Sequence, residues 1–175
     1  MNFDKLLLKT AFSCMACDGE IDKRELLLIK QLHQDTKVFG LIDIDQDLEI
    51  LLSEFNQDSY GFLKLYFDDL SYNKLSEQDE LKLIELAIGV IKADDKVEYG
   101  EIKFFKVIRS NLKINNESIL AIHPDFEDYL EQDIMSETYL SKLKENFFDA
   151  QFLSRVSGIG NSLNLDFSDF LDVTE

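Results

Sequence analysis

The stretch Ala16-Cys17-Asp18-Gly19-Glu20-Ile21-Asp22-Lys23-Arg24-Glu25-Leu26 occurs a second time, altered, as Lys92-Ala93-Asp94-Asp95-Lys96-Val97-Glu98-Tyr99-Gly100-Glu101-Ile102. The two copies align without gaps at a spacing of 76 residues. Both read Asp, two variable residues, Ile or Val, an acid, two variable residues, Glu, then an aliphatic residue. Apolar residues recur at helical spacing on either side of each copy. The first copy is preceded by Phe3, Leu7, Ala11 and Cys14, with Leu8, Phe12 and Met15 widening the stripe, and is followed by Leu26, Ile29 and Leu32. The second is preceded by Leu81, Ile84, Ile88 and Ile91 and followed by Ile102, Phe105, Ile108 and Leu112. A helix–acidic loop–helix unit is therefore expected twice, in two similar halves that pack about a pseudo-twofold axis.

Working outward, Leu48, Leu51, Leu52 and Phe55 predict a third helix, and Phe62, Leu63, Tyr66, Phe67 and Leu70 a fourth. Residues 34–46 connect the second and third helices. They carry Val38, Phe39, Leu41, Ile42 and Ile44, and are expected to lie against the core. Residues 71–75 read as a turn, with Ser76 as the next N-cap and Asp79 and Glu80 in the first turn, where acids complement the helix dipole. Pro124-Asp125 is a stop-and-start signal. Beyond it, Phe126, Tyr129, Leu130 and Ile134 predict a short helix, and Ser136 with Leu140, Leu143 and Phe147 another. Leu163, Leu165 and Phe167 then alternate with polar residues, followed by Phe170 and Leu171. A strip this apolar is expected to dock on its own domain, the alternatives being a partner or disorder. The resulting expectation is an all-α fold: a duplicated helical domain over 1–124, and a C-terminal extension over 125–175 whose extended tail packs on it.

Composition agrees. The chain has 175 residues, 45% of them hydrophobic, with fourteen Phe, six Tyr, no Trp, and only seven Gly and one Pro. Few turn formers favour helices over a turn-rich β fold. Thirty-five acids against eighteen bases give a net charge of −17, and residues 125–175 alone hold twelve acids and three bases. Such a field repels phosphate backbones, so no nucleic-acid partner is expected. It suits cations or a protein partner with a basic surface. Asp4 and Lys5 interrupt the opening apolar run, and no uncharged run approaches a membrane span. The chain thus reads as cytoplasmic, without a signal peptide or direct membrane insertion, and two cysteines three apart fit a reducing compartment.

Two chemistries compete for the acidic loops. Carboxylates bind hard cations such as calcium or magnesium, and Asp18, Glu20, Asp22 and Glu25 fall within eight residues. Residues 18, 20 and 22 echo the first ligand positions of an EF-hand, but Lys23 stands where Gly is needed and Ile29 where the closing Glu is needed, so this is not an EF-hand. The second copy offers Asp94, Glu98 and Glu101, with Lys96 in place of Glu20 and Asp95 in place of Gly19. The other chemistry is capping. Asp22 with Glu25 three residues on is a capping-box arrangement, and Asp18 and Asp94 can accept free N–H groups of the turn.

The segment Ala16 to Glu25, between an apolar helix and Leu26-Leu27-Leu28-Ile29, resembles the signature of the TerB-like, tellurite-resistance family. The resemblance covers roughly residues 3–120. It implies an all-helical protein built from a duplicated motif, with no defined catalytic reaction and with acidic residues that chelate a divalent cation. The residues concerned are Asp18, Asp22 and Glu25, and Asp94, Glu98 and Glu101. It further implies a non-enzymatic binding or scaffold role in a bacterial stress-response or phage-defence system. The alternative that the charge suggests is an acidic immunity protein, or a nucleic-acid mimic, that inhibits a basic partner.

Other constellations are less specific. Cys14-Met15-Ala16-Cys17 is formally C-x-x-C, but both thiols sit near a helix C-terminus, where the dipole opposes a thiolate, and they read as core residues. Cys14, Cys17, His33 and His123 have the ligand count for zinc but not its spacing. Gly158-Ile159-Gly160 lacks the strand and helix of a phosphate-binding loop. No catalytic set emerges.

Overall fold

The computed structural model of the protein describes residues 2–93 and 99–130. They form an all-α structure: α1 (Phe3–Met15), α2 (Lys23–Thr36), α3 (Ile44–Gln57), α4 (Ser59–Tyr72), α5 (Glu77–Ile91), α6 (Tyr99–Ser110) and α7 (Asn116–Ile122), then a 3-10 turn (Pro124–Phe126) and a last short helix, α8 (Glu127–Leu130). No strand occurs among the described residues. None of these helices is long and apolar enough to cross a membrane.

The centre of the molecule is α1. Every residue from Leu6 to Cys14 is buried. A helix hydrophobic all round belongs inside a core, and α1 is packed by α2, α3, α4, α5 and α6. Its most extensive contact is with α5, which buries Leu83, Ile84, Leu86, Ala87, Ile88, Val90 and Ile91. Two of the buried polar residues of α1, Thr10 and Lys9, find partners, whereas the Ser13 hydroxyl has none among the described residues. Thr10 Oγ1 donates to Leu6 O at 2.8 Å and accepts from the buried Tyr66 hydroxyl at 3.1 Å. Lys9 runs its stem along the core; its Nζ meets Asp69 Oδ2 at 2.8 Å and lies 5.2 Å from the centre of the Phe62 ring.

Aromatic rings join the elements. Phe12 of α1 packs edge-on against Phe55 of α3 at 5.7 Å and Phe62 of α4 at 5.4 Å, and those two meet each other at 5.6 Å. Tyr66 stacks on Phe104 of α6 at 6.1 Å, and Phe67 meets the same ring at 5.1 Å. Edge-to-face pairs at these separations add to the stabilisation from burial alone.

Six of the described helices start at residue types that favour N-capping. Asn2, Asp22, Asp43, Asp58, Ser76 and Asn115 are the N-caps, each accepting a backbone N–H from the first turn. The expected Ser76 cap is a full capping box with Asp79. Two features differ from the expectations. Leu41 is fully exposed although its neighbour Phe39 is fully buried. The connection turns sharply there, with Lys37 and Gly40 both at positive φ (53° and 65°), and this puts Leu41 on the outside. A Cβ at Gly40 would come within 2.3 Å of Asp4 Oδ2, so the turn also needs the missing side chain. The helix α7, capped by Asn115, was not anticipated. Phe126 and Leu130, at the start of the C-terminal extension, are buried in the same core as α1–α6. The expected helix from Ser136 and the 163–171 tail lie outside the described residues.

Candidate functional site: the acidic loop between α1 and α2

The chain leaves α1 at Ala16, whose N–H donates to Phe12 O at 2.9 Å. Gly19 takes φ 96°, a left-handed conformation open to glycine, and donates to Ala16 O at 3.0 Å. This reversal delivers the four acids of the first copy to one open groove of about 520 Å³, walled by Asp18, Glu20, Asp22 and Glu25 and floored by Leu27 and Leu28.

The hydrogen bonds are those of capping. Asp18 Oδ1 accepts from Glu20 N at 2.9 Å. Asp22 Oδ1 accepts from Arg24 N at 2.6 Å and Glu25 N at 3.0 Å, and Glu25 Oε2 returns the contact by accepting from Asp22 N at 2.7 Å. Arg24 folds back on the other Asp22 oxygen, with Nε at 3.0 Å and Nη2 at 2.9 Å. The Glu20 residue is exposed, and its carboxylate makes no hydrogen bond or ion pair among the described residues. Nor do any three Asp, Glu, His or Cys side chains there come together in an arrangement that holds a metal. To hold a cation, Asp22 would have to exchange Arg24 for it.

The cap leaves an electrostatic mark. The Glu25 backbone N–H, with the Arg24 side chain second, holds the Asp22 carboxyl below its ordinary value of 3.8. A depressed carboxylate contributes stability that is fully present above the unfolded value and is lost as pH falls through the lower folded value. Asp22→Ala is therefore expected to lower the urea midpoint at neutral pH and to flatten its decline between about pH 5 and about pH 2. An acid limb as steep as that of the unsubstituted chain would contradict the cap's role.

The second copy is described only in part. Asp94 and Glu98 lie outside the described residues, whereas Glu101 sits partly buried in the first turn of α6. The α5 end repeats the α1 end: Lys92 N donates to Ile88 O at 2.9 Å, as Ala16 N does to Phe12 O. What sequence reasoning missed is a convergence on Cys17. Burial pushes this thiol well up, and Glu101, then Asp18 and Glu25, add to the shift. Glu101 also raises Cys14, after burial and Cys17. Carboxylates from both copies thus act on the C-terminal end of α1. The signal was available, since Cys17 precedes Asp18 and its repeat partner Ala93 precedes Asp94, but nothing in the sequence brings α6 to α1.

Neither thiol is in a disulfide and both are buried, as expected of core residues, and thiols held this far from ionisation are poor nucleophiles and poor ligands. The two histidines are apart from them. His33 stacks on Phe39 at 5.6 Å. His123 Nε2 lies 3.2 Å from Glu85 Oε1. Comparison of the chain with protein-family models, with curated proteins and with solved structures finds no match.

Proposed function

We propose that the protein is a non-enzymatic helical binding module, TerB-like in its duplicated motif, that takes a positively charged ligand at the acidic groove between α1 and α2. The carrying observation is the convergence of Asp18, Glu20, Asp22 and Glu25 on one open groove, with Glu101 of the second copy acting on the same end of α1. The close packing of α1 on α5, the equivalent helices of the two copies, supports the reading of a duplication. A divalent cation, calcium or magnesium, is the ligand this carboxylate chemistry favours. Glu20 and the outer oxygen of Asp18 are the groups free to begin coordination, and Asp22 joins by releasing Arg24. The module would serve as a sensor or scaffold in a multi-protein stress-response or defence system.

The test is thermal melting with millimolar calcium, magnesium or manganese. A site with Kd a hundredth of the free metal concentration stabilises by about 2.7 kcal/mol, a rise of several degrees in Tm. The rise is expected to disappear in Asp18→Asn combined with Glu20→Gln, which leaves the Asp22–Glu25 cap intact. No rise in the unsubstituted chain, or an equal rise in the variant, would overturn the cation reading. It would move the proposal to the acidic-inhibitor alternative, in which the net charge of −17 meets a basic protein surface.

A further inference from the structure

A second groove lies on the other side of α2. It is about 260 Å³, lined by Leu26, Leu27, Leu48 and Leu52, with Lys23 and Lys30 from α2 and Asp45 and Glu49 from α3. Leu27, which also lines the acidic groove, is 62% exposed here. We propose that this groove is the docking site for the chain's own segment 163–171, Leu163-Asn164-Leu165-Asp166-Phe167-Ser168-Asp169-Phe170-Leu171, which lies outside the described residues.

Three arguments select this occupant. The segment offers five large apolar side chains in nine residues, and the apolar floor between α2 and α3 removes such surface from water. Its charges are all negative, with no Lys or Arg after Arg155. Of the two grooves flanking α2, one is walled by four acids and a single arginine and repels it, whereas the other balances two lysines against Asp45 and Glu49 and so opposes it far less. Lys30 of these pairs with Asp45 across the groove, and Lys23 has no ion pair among the described residues. Reach is ample: the 32 residues from 131 to 162 span up to about 105 Å when extended, against a radius of gyration of about 14 Å for a compact domain of this size. Tethering also raises the effective concentration of the segment to the millimolar range. A second copy has no such advantage and carries the same net charge of −17.

The test places a photoreactive benzophenone side chain at position 167 of the full-length chain, in the presence of a chelator. Its outcome is thereby independent of the cation reading. Intramolecular cross-links to peptides spanning 23–30 or 45–52 are expected, with yield falling at least threefold in Leu27→Asp and in Lys23→Glu, both changes at exposed positions. Cross-links confined to other faces, cross-links to a second copy, or a yield indifferent to Leu27→Asp would overturn the proposal.

Discussion

Phe12→Ala is expected to destabilise the protein by about 3–5 kcal/mol. Phe12 is fully buried, and its ring is where α1, α3 and α4 meet, edge-on to Phe55 and Phe62. Removing it deletes the transfer free energy of a phenyl ring and leaves a cavity that three helices cannot close at once. Neither Phe55 nor Phe62 can swing into the space without abandoning the other, because they already pack edge-on against each other at 5.6 Å. Since whole domains are stable by only about 5–15 kcal/mol, the loss is a large share of the total. Urea unfolding measures it. The comparison is Leu41→Ala, at a fully exposed position, where a change within about 0.5 kcal/mol is expected. A Phe12→Ala midpoint close to that of Leu41→Ala would refute the assignment of α1 to the centre.

Glu80→Ala is the second large effect. Glu80 stands in the first turn of α5, a place where a sequence reading puts an exposed acid complementing the helix dipole. It is instead 5% exposed, and its Oε2 accepts from Lys113 N at 2.8 Å and Ile114 N at 2.6 Å in the segment after α6. Its charge also supports the protonated form of half-buried Arg109, which burial otherwise opposes. Arg109 in turn bonds Asn116 Oδ1 at 3.1 Å and Leu112 O at 3.3 Å, so the carboxylate organises both sides of the α6–α7 connection. Alanine leaves two backbone donors without an acceptor, one of them buried, for a cost of roughly 2–4 kcal/mol. Glu80→Gln keeps an oxygen in place and is expected to lose less than half as much. Amide exchange at Ile114 separates the cases: protection should collapse in the alanine variant and persist in the glutamine one. Equal protection in both would mean that the carboxylate does not hold this segment.

These two residues mark how far the sequence could be read. Phe12 was legible because helical periodicity reports burial directly, and the caps at Asp22 and Ser76 were legible because capping is local chemistry within four residues. Glu80 was not, because the backbone donors it accepts from lie 33 and 34 residues away and only the packing of α5 against α6 brings them near. The same limit applied to Leu41, whose exposure is set by two left-handed residues beside it, and to α7, too short at seven residues for its periodicity to register. At the candidate site, the four acids of the first copy were found from their spacing alone. Their engagement with Arg24 and with backbone donors came from geometry that a spacing rule does not contain, and so did the electrostatic effect of Glu101 on the Cys17 thiol.

The buried cysteines make the protein its own probe. Cys14 and Cys17 are 1% and 4% exposed and sit where α1 ends, beside the loop that carries the acids. Being buried and strongly disfavoured as thiolates, they should react with a maleimide or an aromatic disulfide only when that end of α1 opens. The alkylation rate of the unlabelled protein then reports the opening equilibrium of this one region, separately from global unfolding. A ligand that seats in the acidic groove should slow that clock, and a loosened α1–α2 turn should speed it.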